Sequence, residues 1–123
     1  MENTFPFKIY PIPEHLRVDD ALFGITANVE SAPALEGYFY LFEKYGFGGG
    51  GPSWEEHIST ILEEEAPELL DHLTGYSTAA RLLFYADSEA TVRAFMRVIL
   101  PIFADLGKLN KYFSQTDSSD FFE

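Results

Sequence analysis

A chain of 123 residues and 13.9 kDa is the size of one domain, 1–123, and should bury roughly two-thirds of its unfolded surface, enough for a core without covalent staples. Hydrophobic residues at 46% and aromatics at 16% are a globular composition, and the absence of cysteine removes disulfides, thiolate zinc sites, iron–sulfur clusters and thiol nucleophiles together. Asp and Glu number 20 against 8 Lys and Arg, a formal charge of −12, which repels nucleic acid and anionic membrane surfaces and suits a basic partner.

Phe5 to Tyr10 reads as a strand, confined to an edge because Pro6, Pro11 and Pro13 remove ladder donors. Ala21 to Val29 reads as a second strand. Gly37 to Tyr45 is predicted as a third and central strand, with Tyr38, Tyr40 and Phe42 on one side and Phe39, Leu41 and Glu43 on the other. The run Gly46-Phe47-Gly48-Gly49-Gly50-Gly51-Pro52 then reverses the chain. Ser53 is the expected N-cap of the next helix, with Glu56 completing a capping box. Trp54, Ile58, Ile61 and Leu62 recur at helical spacing, so the helix should run from Ser53 to Ala66.

Pro67 interrupts it, and Glu68 to Leu73 looks like one more helical turn. Arg81 to Ala86 reads as a short buried strand. Asp87 or Ser88 should cap a helix whose apolar stripe is Val92, Phe95, Met96, Ile99, Leu100 and Phe103. Glu89 and Arg93 form an i,i+4 pair on it, and Pro101 is expected to kink or break it. Leu106 to Phe113 reads as a last short helix before a polar, acidic tail at about 114–123. The order β-β-β-α-(α)-β-α-α points to an α+β fold, a small mainly antiparallel sheet with helices packed on one face.

No apolar run reaches the ~18 residues of a membrane span, and the opening Met-Glu-Asn-Thr-Phe-Pro lacks the order of a signal peptide. A cytoplasmic protein without membrane or nucleic-acid partners is expected. The acids are unevenly placed: from Tyr45 to Ala80 there are seven acids and no Lys or Arg. Glu55, Glu56, Glu63, Glu64, Glu65 and Glu68 could simply form a solvated helix face, or they could be a surface for a basic partner.

Gly46, Gly48 and Gly51 match G-x-G-x-x-G between two regular elements. No base lies between Lys44 and Arg81 to meet a pyrophosphate, and Glu55 and Glu56 crowd the helix start that would have to accept one. No Gly-Lys-Ser/Thr follows, which removes a P-loop. The reading is a structural or recognition loop built on Gly48, Gly49, Gly50 and Gly51 and anchored by Trp54 on the Tyr38/Tyr40/Phe42 side of the strand. Tyr45 and Phe47 flank that loop with nothing obvious to cover them. His15, His57 and His72 have no metal-ligand spacing, and no nucleophile–base set stands out, so no metal, cofactor or catalytic residue is expected. Phe121 and Phe122, among acids, suit either a protein contact or a fold-back onto the core.

The segment from Glu36 to Ile61 resembles bacterial immunity proteins of polymorphic toxin systems, in particular the immunity protein 51 family. The shared pattern is the Tyr38-Phe39-Tyr40 run, the glycine-rich loop, and Trp54-Glu55 opening a helix. Tyr85-Ala86-Asp87-Ser88-Glu89 before an apolar helix and the late Asp120-Phe121 are also similar, so the resemblance spans roughly Ala21 to the end. Where family members carry Gly-Asn-Gly-Tyr before the tryptophan, this chain has Gly50, Gly51, Pro52 and Ser53. The resemblance implies a small α+β protein that neutralises a cognate toxin by binding it, with no catalysis. Tyr45, Phe47, Glu55, Glu56, Glu63 and Glu64 are the expected partner-binding residues, and the partner is expected to be basic. A ligand-binding or enzymatic domain using the Gly46–Gly51 loop, or a non-catalytic adaptor, remains the alternative.

Overall fold

The computed structural model describes residues 4–17, 21–29, 33–48 and 50–115. Gly49, and Phe121 and Phe122 with the rest of 116–123, lie outside the described residues. Four strands, β1 (Lys8–Pro11), β2 (Phe23–Asn28), β3 (Leu73–Gly75) and β4 (Arg81–Ala86), form one sheet in the order β1-β2-β4-β3, antiparallel throughout. Among the described residues four α-helices accompany it: α1 (Glu36–Lys44), α2 (Gly51–Glu65), α3 (Glu89–Phe103) and α4 (Leu106–Ser114). The α+β expectation holds. β1 is an edge strand, and there Pro11 faces outward without a donor and blunts the edge.

Strand alternation sorts the sheet into two faces. Ile9, Ile25, Ala27, Leu82, Phe84 and Ala86 share the face on which α2 and α3 pack. Lys8, Tyr10, Gly24, Thr26, Arg81 and Tyr85 lie on the other. There the Tyr10 ring lies so close over Gly24 that a Cβ would collide with it.

The expected strand from Gly37 to Tyr45 is wrong: these residues form α1. Aromatic residues favour strands intrinsically, and with both sides of the run apolar the alternation carried no information. Helical spacing does. Tyr38, Leu41 and Phe42 are buried at i, i+3 and i+4, while Tyr40 is 71% exposed. No side chain caps the start of α1. Its end is a full Schellman motif: Gly46 at φ +82° donates to Glu43 C=O (3.0 Å) and Phe47 to Phe42 C=O (2.8 Å).

The Ser53 capping box is also overturned. α2 begins on Gly51, with Pro52 in its first turn where a missing N–H costs nothing, and Gly50 is the N-cap. Ser53 is inside the helix and buried. After a 3₁₀ turn over Pro67–His72 comes β3, a strand the sequence did not announce. It pairs with β4 through a tight turn closed by Thr78 and Arg81, whose centre is Ala79-Ala80 rather than a glycine or asparagine signal. Ser88 caps α3 by accepting the Thr91 N–H at 3.1 Å. Pro101 does not break α3, which continues to Phe103; the Phe103 carbonyl accepts the buried Tyr38 hydroxyl at 2.6 Å.

The helices meet around Trp54. Its indole is fully buried, stacked on Phe42 (5.3 Å between ring centres, 8° between planes) and flanked by Tyr38 (5.3 Å) and Phe103 (5.4 Å). The expected partners Tyr38 and Phe42 are correct, but from a helix; Tyr40 points away. Trp54→Ala removes this hub and should cost about 3–5 kcal/mol in urea unfolding. A loss below 1 kcal/mol would show that the rings repack without it.

Candidate protein-binding surface

The glycine-rich reversal sets where α2 starts. Gly46 supplies the positive φ that ends α1. Gly50 and Gly51 press against the 78–81 turn: Gly51 donates to Ala79 C=O at 3.2 Å, and a Cβ on Gly51 would collide with the Thr78 and Arg81 carbonyl oxygens. The loop is thus pinned to the β3–β4 hairpin by close backbone approach, and carbonyl oxygens occupy the ground a bound phosphate would need.

Two glycine substitutions separate these roles. Helix propensity alone would favour Gly51→Ala by about 1 kcal/mol. The collision reverses the sign, and we expect a loss of about 3 kcal/mol from overpacking. Gly46→Ala meets open space and should cost only the left-handed strain of about 1 kcal/mol. Equal losses in urea unfolding would mean that the hairpin contact does not constrain the loop.

The surface residues expected from the sequence divide into two sets. Phe47 is a correction: it is 5% exposed, packed on His57 (4.3 Å between ring centres) and Phe113 (4.9 Å), because as the residue after the αL glycine it folds back over α1. Tyr45 is half-buried and donates its hydroxyl to Asn110 Oδ1 at 2.8 Å, tying α1 to α4. Neither presents a free aromatic at the loop.

The acids of α2 are at the surface. Glu55 and Glu56 are partly exposed, and Glu63 and Glu64 are exposed. Glu63 lies two turns beyond Glu56 on the same side, about 10 Å along the axis, whereas Glu64 turns away.

Glu55 and Glu56 line a groove of about 430 Å³ between α2 and the β3 edge, whose other wall is Gly75, Tyr76 and Ser77. Glu55 Oε1 accepts the Ser77 N–H at 3.4 Å, and its carboxylate sits against Gly75 so closely that a Cβ there would collide. Glu56 Oε1 is enclosed and has no hydrogen-bond partner among the described residues. Tyr76 is 45% exposed and braced by Tyr85 (5.0 Å). No Lys or Arg lines the groove. Tyr76 was missed because β3, the strand it directly follows, was missed. It lies inside the base-free stretch, which was the available signal.

Two histidines are set in opposite directions. His57 is buried among Phe42, Phe47 and Phe113, and burial lowers its pKa to about 4. On the surface, His72 Nδ1 meets Asp87 Oδ2 at 2.5 Å, and this hydrogen bond raises the His72 pKa and lowers that of Asp87. No group of three or more His, Asp or Glu placed to hold a metal occurs among the described residues.

An unfolded histidine titrates near 6.5, above the folded His57 value, so the unfolded chain takes up this proton first. The His57 contribution is therefore complete above pH 6.5 and is lost as pH falls toward 4, an effect of about 3 kcal/mol. Unfolding free energies across that range should show this slope in the wild type, and His57→Leu should remove it. An unchanged slope in His57→Leu would assign the acid sensitivity to carboxylates. The His72–Asp87 pair acts with opposite sign: what it adds is present below the unfolded histidine pKa and fades as pH rises through the raised one.

Comparison with protein-family models, curated proteins and solved structures returns no match. No helix among the described residues is long and apolar enough to cross a membrane.

Proposed function

We propose that this protein is an immunity-type inhibitor that neutralises a cognate, basic toxin by direct contact through the α2–β3 groove. The observation that carries this reading is the groove itself: Glu55 and Glu56 stand beside an exposed Tyr76 with no base in the lining. A carboxylate pair beside an aromatic face is the chemistry that receives a lysine or arginine side chain. The −12 charge supports it by favouring encounter with a basic partner, and the Glu36–Ile61 pattern supports it through the resemblance already described. Tyr76 replaces Phe47 as the aromatic contact, since Phe47 belongs to the core. The glycine loop belongs to the same reading as the device that holds α2 against the hairpin.

The test is association and dissociation kinetics with the cognate toxin, across an ionic-strength series. Long-range attraction acts on encounter, so the on-rate should fall with salt, and Glu55→Lys with Glu56→Lys should slow association by about tenfold or more at low salt. Tyr76→Ala should speed dissociation with little change in association. A salt-indifferent on-rate together with wild-type affinity in both variants would leave the acids as a solvated helix face and the chain as an adaptor.

A further inference from the structure

A second groove, of about 570 Å³, lies between α3 and the outer strand β1, on the opposite edge of the sheet from β3. Its lining is mostly apolar where the first groove's is acidic: Ile9, Phe23, Val92 and Met96 form the floor, joined by Arg93, Arg97 and one acid, Glu89. Arg93 is held by Glu89 at 3.0 Å. Arg97 is exposed and has no ion-pair or hydrogen-bond partner among the described residues. An apolar trough under an unpaired guanidinium fits a segment that offers aromatic rings flanked by carboxylates.

This chain carries one such segment. Asp117-Ser118-Ser119-Asp120-Phe121-Phe122-Glu123 sets two adjacent phenylalanines between acids, and no base follows Lys111. We infer that the α3–β1 groove is the docking site for this chain's own Asp117–Glu123 segment, with Phe121 and Phe122 on the apolar floor and the flanking acids toward Arg97 and Arg93.

Charge decides between this segment and a separate acidic ligand. A free anion must approach against a net charge of −12. A segment tethered at Gln115 needs no such encounter, because a short covalent link supplies about millimolar effective concentration. The six residues from Gln115 to Phe121 extend up to about 20 Å, and α4, which delivers Gln115, packs on α3, one wall of the groove. Docking would also cover an apolar patch that a soluble chain otherwise leaves as an aggregation hazard.

The absence of cysteine makes the test direct. Ser119→Cys places a single nitroxide within the segment of the full chain, and amide spectra are recorded with the label oxidised and then reduced. The expected result is loss of the Met96 and Arg97 amide signals while the label is paramagnetic. Those signals should return in two second-site variants of the labelled chain, Arg97→Glu and the double change Phe121→Ser, Phe122→Ser. Signals that never broaden, or that broaden equally in both variants, overturn the inference. Broadening seen only when isotope and nitroxide are on different chains also overturns it, assigning the groove to a second copy.

Discussion

The stacking of Trp54 on Phe42 is the contact on which the remaining architecture depends. α1 has nine residues and no side-chain cap at its start, whereas isolated helices shorter than about 12–15 residues are marginal in water. It persists because Phe42 and Tyr38 lie against an indole that α2 brings into the core, and because the Tyr38 hydroxyl ends on the Phe103 carbonyl of α3. One buried side chain thus joins three helices. Phe42 extends the cluster to Phe113 of α4 at 4.8 Å, so all four helices share one aromatic core. The burial of His57 is a consequence of the same packing, and the neutral ring it demands makes that core sensitive to acid.

The stack also fixes where the acids stand. Trp54 and Glu55 are neighbours on α2, so a helix rotated to bury the indole must turn Glu55 toward the β3 edge. The glycine reversal sets the remaining freedom: Gly51 against the hairpin carbonyls prevents α2 from sliding along its axis. Gly75 on the facing strand lets the Glu55 carboxylate approach the backbone. Three constraints, one aromatic and two steric, thereby hold a carboxylate pair next to Tyr76. Preorganisation of this kind lowers the ordering cost that a flexible acidic surface would pay on binding.

The two edges of the sheet differ accordingly. At β1, Pro11 closes the edge to pairing, and the adjoining groove on α3 is apolar under arginines. At β3 the strand is short, and its edge is lined by α2 carboxylates. A chain that is strongly acidic overall thus separates its surface into an acidic groove at one edge and a weakly basic, apolar groove at the other. The separation arises because the five bases between Arg81 and Lys111 fall on β4, α3 and α4, while α2 and β3 carry none.

The sequence by itself determined the α+β class, strands β2 and β4 as short runs of strand-favouring residues, and helices α2, α3 and α4 because their apolar spacing matches the helical period. It also determined that the acids gather between Tyr45 and Ala80 and that Trp54 meets Tyr38 and Phe42. Tertiary structure decided the rest. The run from Gly37 to Tyr45 is largely apolar or aromatic on both faces, so its choice of helix over strand waited for Trp54 to select the face at i, i+3 and i+4. The helix start at Gly51 rather than Ser53 depended on hairpin carbonyls distant in sequence. Phe47 moved from surface to core, and the exposed Tyr76 went unread, for the same reason: a ring's exposure depends on what packs over it, and neither a Schellman fold-back nor a three-residue strand leaves enough periodicity in the chain to announce itself.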